Sequence, residues 1–292
     1  MIALAAPAKI NLYLHIGPVR PDGLHDLASL FVFARDGDVI RVEPAKSLSL
    51  TMTGPYAPLL KDLPPEKNLV YRAAQMLAHA AGVEAGAAIT LEKNLPVAAG
   101  VGGGSADAAA ALNALVALWK IDIGEEALIR LAFRLGADVP ACLAKAPVNV
   151  SGAGERIEQG PSLPPLWITL VNPRVEMPTG PIFRAFDKAY PAPPAPLLAN
   201  FRAANYQQLK QAMQATRNDL EAFAIEKAPV IREVINRLAA APGALAARMS
   251  GSGATCFALF ASPVSASRAA RAAQARGHWA MASALYVRLG DV

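Results

Sequence analysis

The segment Pro96-Val-Ala-Ala-Gly-Val-Gly-Gly-Gly-Ser-Ala-Asp107 carries four glycines just before an alanine-rich run that extends to Trp119. Glycine reaches backbone angles that other residues avoid, and without a Cβ it lets a ligand contact the backbone. Ser105 is a favoured helix N-cap residue. The first turn of a helix also offers unpaired N–H groups and a partial positive charge. A glycine loop that runs into a helix is therefore a typical phosphate-binding element.

Two common phosphate-binding loops do not match this segment. A Walker A loop needs Lys and then Ser or Thr after its last glycine, but Gly104 is followed by Ser105 and Ala106. The dinucleotide fingerprint needs glycines at the first, third and sixth positions, which no starting glycine provides here. A protein-kinase loop joins two strands, whereas this loop enters a helix. The segment predicts another class of phosphate-binding protein; the alternative is a flexible linker, which its position between a strand-like and a helical run disfavours.

Length and composition indicate a globular protein with one large domain or two medium domains. The chain has 292 residues, of which 53% are hydrophobic and 17% are charged, as in folded proteins with a sizeable core. If there are two, we expect an N-terminal domain over residues 1–160, with the glycine loop, and a C-terminal domain over residues 161–292. Strand-like segments come in groups and also alternate with helical ones, which favours an α+β fold.

The predicted elements follow from periodicity and from turn residues. Strands are predicted at 9–16, 38–43, 47–53, 87–93, 166–171, 255–260 and 280–288, with a hairpin over 147–159. Helices are predicted at 68–81, 105–119, 125–135, 139–144, 205–215, 218–226, 229–240 and 263–276. The proline cluster from Pro191 to Pro196 predicts an exposed loop.

Several classes of function are disfavoured by the remaining composition. The net charge is +5, but no basic run with interleaved aromatics suggests a nucleic-acid partner. No uninterrupted apolar run reaches about 18 residues, so we expect no membrane span. The start, Met1 to Pro7, lacks a basic segment, so we expect no signal peptide and a cytoplasmic protein. Cys142 and Cys256 lack metal-ligand spacing, which predicts reduced core residues and no metal bound by protein ligands.

Two polar residues outside the loop suit phosphoryl transfer. Asp138 lies in Gly136-Ala-Asp-Val-Pro140, where it is either a helix N-cap before Pro140 or a carboxylate that takes the proton of an alcohol. Lys9 lies in Pro7-Ala-Lys-Ile-Asn11. It is either a surface lysine or a cation that offsets charge on the transferred phosphoryl group.

A family resemblance rests on three segments that occur in this order. They are Pro7-Ala-Lys-Ile-Asn-Leu12, the segment from Leu95 to Asp107, and Ser250-Gly-Ser-Gly-Ala254. Together they resemble the three motifs of the GHMP kinases, which include galactokinase, homoserine kinase and mevalonate kinase. Further segments resemble the members that act on a diphosphocytidyl-linked alcohol: Arg20-Pro-Asp-Gly-Leu-His25, Gly136 to Pro140 and Pro178-Thr-Gly-Pro-Ile-Phe183.

The resemblance spans nearly the whole chain and implies a fold, an activity and a set of site residues. It implies a GHMP kinase fold with the active site in the cleft between two domains, and transfer of a phosphoryl group from ATP, which brings Mg²⁺, to a small-molecule alcohol. It assigns catalysis to Lys9 and Asp138. It assigns ATP binding to Pro96, Val97, Ala98, Ala99, Gly100, Val101, Gly102, Gly103, Gly104, Ser105 and Ala106, with Asn68, Leu69 and Lys93 near the adenine. It assigns substrate binding to Asn11, Leu24, His25, Thr179 and Phe183, with His25 facing a cytosine and Phe183 stacking on it.

This chain departs from the family pattern at two places. Relatives commonly have Tyr where Leu24 stands, and a Met-Gly-Gly run where Val97-Ala-Ala99 stands. Outside the family context, His25 would be a surface histidine and Phe183 a core residue. The alternative functions are another GHMP kinase of the homoserine type, or a non-catalytic ligand-binding protein on the same fold. A non-catalytic protein would be expected to lose Lys9 or Asp138, and both are present.

Overall fold

The computed structural model describes residues 1–84, 86–194 and 201–287, and the chain forms two compact units. Unit 1 consists of Met1–Lys9, Asp36–Val97 and Gly102–Lys145, and unit 2 of Ile10–Arg35, Ala98–Val101 and the chain from Ala146 onward. Each unit is assembled from several stretches because the two long N-terminal strands contribute to both. The domain boundary between residues 160 and 161 stays a prediction.

The described residues contain ten strands and nine α-helices. The strands are β1 Ile2–Val19, β2 His25–Ala45, β3 Ser49–Thr53, β4 Gly86–Glu92, β5 Val148–Gly152, β6 Arg156–Gln159, β7 Trp167–Asn172, β8 Ala244–Met249, β9 Cys256–Phe260 and β10 Trp279–Ala284. The helices are α1 Leu69–Ala81, α2 Gly103–Trp119, α3 Glu125–Leu135, α4 Val139–Ala144, α5 Thr179–Ala189, α6 Tyr206–Gln214, α7 Glu221–Lys227, α8 Val230–Ala239 and α9 Pro263–Gln274. This mixture confirms the α+β class. No helix within the described ranges is long and apolar enough to cross a membrane.

Unit 1 packs four helices beside a small sheet. The second half of β2 runs antiparallel to β4, and β3 runs parallel to β4. Helix α2 contacts α1, α3 and α4. Its first half is a run of buried small residues, from Ala106 to Ala111, so neighbouring helices can approach it closely. A helix whose buried residues are mostly alanine and leucine suits such a central position.

Unit 2 contains a four-stranded antiparallel sheet in the order β10-β7-β9-β8. Helices α8 and α9 pack on this sheet, and its inner face forms a core that includes Met249, Cys256 and Phe260. In the same unit the first half of β2 pairs with β5, and β5 pairs with β6, which confirms the hairpin predicted over 147–159. Cys142 and Cys256 are buried and form no disulfide, and burial raises the pKa of both thiols, which confirms them as core residues.

The sequence does not predict α5 or β8, and it predicts only short pieces of β1 and β2. Pro178 and Pro181 in fact lie at the start of α5. Proline has no backbone N–H, but N–H groups in the first turn of a helix have no acceptor within the helix, so no hydrogen bond is lost there. The alanines of β8 favour a helix by propensity, but pairing with β9 prevails. The predicted last strand, 280–288, is observed as far as Ala284, and residue 288 lies outside the described ranges, as do 195 and 196 of the predicted proline loop.

Candidate active site

Lys9 and Asp138 form a close ion pair in unit 1. The Lys9 Nζ lies 2.9 Å from the Asp138 Oδ2. Lys9 projects from β1 and is only 5% exposed, so it is not a surface lysine. Asp138 precedes α4 but makes no capping hydrogen bond with its side chain, so its carboxylate faces Lys9 and remains partly open to solvent. In such a pair the accessible carboxylate can accept a proton, and the buried ammonium can stabilise negative charge nearby.

The glycine loop lies directly against Lys9. Gly102 has a φ of +60° and serves as the N-cap of α2, which starts at Gly103. A Cβ on Gly102 would come within 2.9 Å of the Lys9 Cε and 3.0 Å of its Cβ. The expectation that Ser105 caps the helix is therefore wrong, because Ser105 lies inside the first turn. The packed loop also does not fit the description of a flexible linker.

The loop side chains divide into two groups. Pro96, Ala99, Val101 and Ala106 are buried, while Val97 and Ala98 are exposed. Ligand contact with the buried group would have to use the backbone. Ala98 has a φ of +52°, a left-handed conformation that costs an alanine roughly 1–2 kcal/mol. A glycine would adopt this conformation without that cost.

The three motif segments meet in unit 2 at Ser250. The Ser250 Oγ accepts a hydrogen bond from the Asn11 N–H at 3.1 Å and donates one to the Gly100 carbonyl at 3.0 Å. A Cβ on Gly100 would lie 2.7 Å from the carbonyl oxygens of Ser250 and Gly253. The Asn11 Nδ2 donates to the Ser29 Oγ at 3.0 Å. The second glycine turn, which contains Ser250 and Gly253, therefore packs against the backbone of the glycine loop at Gly100.

A buried ion cluster supports the start of α2. The Lys93 Nζ donates to the Asp107 Oδ2 at 2.7 Å and also to the Asp38 Oδ2. The Asp38 Oδ1 accepts from the N–H of Leu95 at 2.8 Å. A Cβ on Gly103 would lie 3.1 Å from the Lys93 Nζ. Lys93 thus lies beside the loop but is almost completely buried, at 3% exposure. The sequence analysis does not predict a role for Asp38 or Asp107. A single carboxylate within an alanine-rich run is nevertheless unusual, and this could have pointed to Asp107 as a buried polar residue.

Asp107 has one carboxylate oxygen that the cluster leaves without a partner. Its Oδ1 is buried and has no hydrogen-bond partner. Burial raises the pKa of the Asp107 carboxyl to about 8, against the opposing attraction of Lys93. Burial opposes the charge of Lys93 too, but the attraction of Asp107 and Asp38 outweighs it and raises the Lys93 pKa. With Asp107 protonated, the cluster is neutral, and the unpaired oxygen costs less than a buried charge would.

Stability should therefore fall as the pH rises toward 8. Between the usual aspartate pKa of 3.8 and the folded value of about 8, the folded protein holds a proton that the unfolded chain has released. Stability from this group is complete below that window and is lost progressively as the pH rises through it. We expect Asp107→Asn, which keeps the shape without titrating, to flatten this dependence. Urea unfolding of both proteins from pH 5 to pH 8 measures it, and parallel pH slopes would contradict the raised pKa.

The predicted adenine contacts lie close to the start of α2. The Asn68 side chain caps α1 by accepting a hydrogen bond from the Val70 N–H at 2.9 Å. Leu69 is the first residue of α1, and a Cβ on Gly104 would lie 3.6 Å from its Cδ1. The structure thus brings Leu69, like Lys93, against the first turn of α2.

The predicted base-binding residues meet in unit 2 around His25. The His25 ring centroid lies 5.2 Å from that of Phe183. The His25 Nδ1 donates to the Gly17 carbonyl at 2.9 Å, and its Nε2 lies 3.0 Å from the Asp187 Oδ1. His25 is therefore a partly buried, oriented residue, with a side chain 9% exposed, and not a surface histidine. Phe183 packs partly against the core of unit 2, as its non-functional interpretation predicts, and also contacts His25.

Asp187 is not predicted from the sequence. It follows Phe183 by four residues and so shares a face of α5 with it, but the sequence does not predict that helix. The Thr179 Oγ1 at the start of α5 lies 2.9 Å from the Ser252 Oγ of the third motif. Leu24 is 51% exposed and presents an aliphatic side chain to solvent.

Comparison with known proteins defines the class of the chain. Residues 68–146 match the family described as GHMP kinases N terminal domain, and residues 197–278 match GHMP kinases C terminal. The fold also resembles a crystal structure of homoserine kinase from Cytophaga hutchinsonii, with a TM-score of 0.67 and 21% identity over 98% of this chain and 94% of that chain. The fold and the three motifs are those of the GHMP small-molecule kinases, which use ATP as the phosphate donor.

Closer relatives define the family within this class. The 4-diphosphocytidyl-2-C-methyl-D-erythritol kinase of Paramagnetospirillum magneticum is 50% identical over 92% of each chain. That of Cereibacter sphaeroides is 50% identical over 94% of this chain and 95% of its own. A crystal structure of 4-(cytidine 5'-diphospho)-2C-methyl-D-erythritol kinase is 36% identical, with a TM-score of 0.78 over 97% of this chain and 99% of that chain. The chain belongs to this kinase family.

Proposed function

We propose that the chain transfers the γ-phosphate of ATP to the 2-hydroxyl of 4-diphosphocytidyl-2-C-methyl-D-erythritol, as a cytoplasmic enzyme of non-mevalonate isoprenoid precursor biosynthesis. The observation that carries the proposal is the Lys9–Asp138 ion pair, at 2.9 Å, with the Gly102 backbone packed against Lys9. The names of relatives at 50% identity supply the substrate.

In the proposed reaction, Asp138 takes the proton of the substrate hydroxyl. The hydroxyl oxygen of the substrate at the same time forms a bond to the γ-phosphorus of ATP. The bond from the γ-phosphorus to the bridging β-oxygen breaks, and ADP leaves with that electron pair. Lys9 offsets the negative charge that is shared among the phosphoryl oxygens. The unpaired N–H groups at the start of α2, from Gly103 to Ser105, hold the ATP phosphates.

Mg²⁺ is proposed to arrive with ATP. No group of three or more His, Cys, Asp or Glu side chains in the described part of the chain is arranged to hold a metal ion. Mg²⁺ commonly keeps its waters and binds through substrate phosphates with one or two protein oxygens, and we propose the Ser105 hydroxyl as one such oxygen.

The cytosine is proposed to bind beside His25 and Phe183, and the rest of the substrate near Asn11, Leu24 and Thr179. Both ring nitrogens of His25 are engaged, by Gly17 and by Asp187. A base that hydrogen-bonds to the His25 Nε2 would therefore displace Asp187, whose side chain is 39% exposed and has room to turn. Asn68, Leu69 and Lys93 are proposed to flank the adenine.

Phe183→Ala should weaken substrate binding by about 5- to 150-fold, since stacking on an aromatic ring contributes about 1–3 kcal/mol per base. The KM for ATP should not change. Phe183→Leu is the matched control, because it keeps apolar packing against the core and removes only the ring. An equal loss of substrate affinity in the leucine variant, with a near-normal unfolding midpoint, supports stacking.

Leu24→Tyr should leave the affinity for the substrate unchanged or improve it by up to about tenfold.

A coupled ADP-release assay tests the substrate. We expect turnover with 4-diphosphocytidyl-2-C-methyl-D-erythritol and little with homoserine or mevalonate. Removal of the cytidyl group should lower kcat/KM strongly. If the truncated substrate reacts equally well, the cytosine pocket is absent and the homoserine-type alternative is favoured.

A further inference from the structure

An apolar cavity in unit 2 is lined by none of the residues proposed for catalysis or for substrate binding. Its volume is about 330 Å³, and it opens between α8 and α9. Val171, Val234 and Leu238 form its inner wall, and all three are nearly fully buried. The volume falls at the lower end of the range of about 300–1,000 Å³ that is usual for small-molecule sites.

The cavity exists because α9 presents short side chains to α8. Ala269, Ala272 and Ala273 line one side, where longer residues would fill the space. At about 30 Å³ per water-sized group, the space holds roughly ten such groups. An aliphatic chain of six to ten carbon atoms, roughly, therefore matches the volume and the apolar wall.

The rim of the cavity is basic. Arg237, Arg268, Arg276 and His278 line it, and none of the lining residues is acidic. Among the described residues, none of these arginines has a salt-bridge partner within 4.0 Å. The Arg276 Nη1 donates only to the Ala272 carbonyl, at 3.0 Å. Three guanidinium groups around one opening suit a multiply charged anion, and the guanidinium fork matches phosphate oxygens.

We propose that this cavity binds an aliphatic chain that ends in a phosphate group, with the chain against Val234, Leu238 and Ala269 and the phosphate among the rim arginines. The apolar wall recognises the chain, and the charge of the rim selects the phosphate over a neutral head. The proposal does not depend on the identity of the kinase substrate.

Isothermal titration calorimetry with n-octyl phosphate tests the proposal on the full chain. We expect saturable binding at one site, below the concentration at which the probe forms micelles. Octanol and inorganic phosphate should each bind at least about tenfold more weakly, because each lacks one of the two features. Octanoate that binds as tightly as octyl phosphate would overturn the choice of phosphate. An absence of saturable octyl phosphate binding would overturn the site.

Two variants locate the binding. Arg237→Gln combined with Arg268→Gln should weaken octyl phosphate roughly tenfold, as expected for two solvent-exposed charge contacts, and leave octanol unchanged. Ala272→Phe should block the opening and abolish binding of both, without burying a new side chain in the core, because Ala272 is exposed. Arg271→Gln is the matched control, since Arg271 lies on α9 but does not line the cavity.

Wild-type affinity for octyl phosphate in the double variant and in Ala272→Phe would overturn the proposal. So would a dimer that Ala272→Phe dissociates without any binding of octyl phosphate, because it would assign the cavity to a second copy.

Discussion

Asp138→Asn is expected to lower kcat by about 10²–10⁴-fold, the usual contribution of a general base. The substitution keeps the shape of the side chain and its proximity to Lys9, which is 2.9 Å from the present carboxylate, but removes the proton acceptor. Because the glycine loop is untouched, the affinity for ATP should change little. Steady-state kinetics with both substrates, and ATP titration by calorimetry, measure the two effects.

Two further proteins make this result specific to the ion pair. Asp122→Asn removes an exposed carboxylate in the turn between α2 and α3, and should leave kcat unchanged. Lys9→Gln should also lower kcat, and the double variant Lys9→Gln/Asp138→Asn should lose much less than the product of the two single losses, since residues that act as a unit are not additive. Near-normal turnover of Asp138→Asn would exclude the carboxylate as the base.

Gly102→Ala should lower kcat by roughly 10²-fold in a protein that still folds. The new Cβ would come within 2.9 Å of the Lys9 Cε, and the flexible end of that side chain can move away. Movement of the ammonium by about 1 Å from the reacting groups is enough for a loss of this size. The left-handed φ of +60° should also cost roughly 1–2 kcal/mol of stability. Kinetics at saturating ATP and urea unfolding separate the two effects.

Gly124→Ala is the matched glycine control. Nothing lies within 4 Å of a Cβ at that position, and its φ of −61° suits any residue, so activity should match the wild type. If Gly102→Ala retains full kcat, the position of the Lys9 ammonium does not limit the reaction.

Local signals in the sequence were sufficient for the glycine loop that enters α2, most helices and the class of kinase. The start of α1 at Asn68, its end before Gly82, and the hairpin over 147–159 follow from residues that are close in the chain. Caps, turns and periodic apolar faces act over a few residues, so they can be recognised without knowledge of the fold. The motif segments carry the family likeness for the same reason, since each is short and continuous.

Contacts between distant residues required the folded structure. The sequence suggests Lys9 and Asp138 separately, but only the packing of β1 beside α4 brings the two charges to 2.9 Å. The cluster of Asp38, Lys93 and Asp107 depends in the same way on β2, β4 and α2. Helix α5, which carries Asp187 toward His25, and strand β8, which gains its hydrogen bonds from β9, form against their local composition. In each case the conformation is decided by the free energy of burial and of pairing with a partner far away in the chain. The residues next to the element in sequence do not indicate which partner that is.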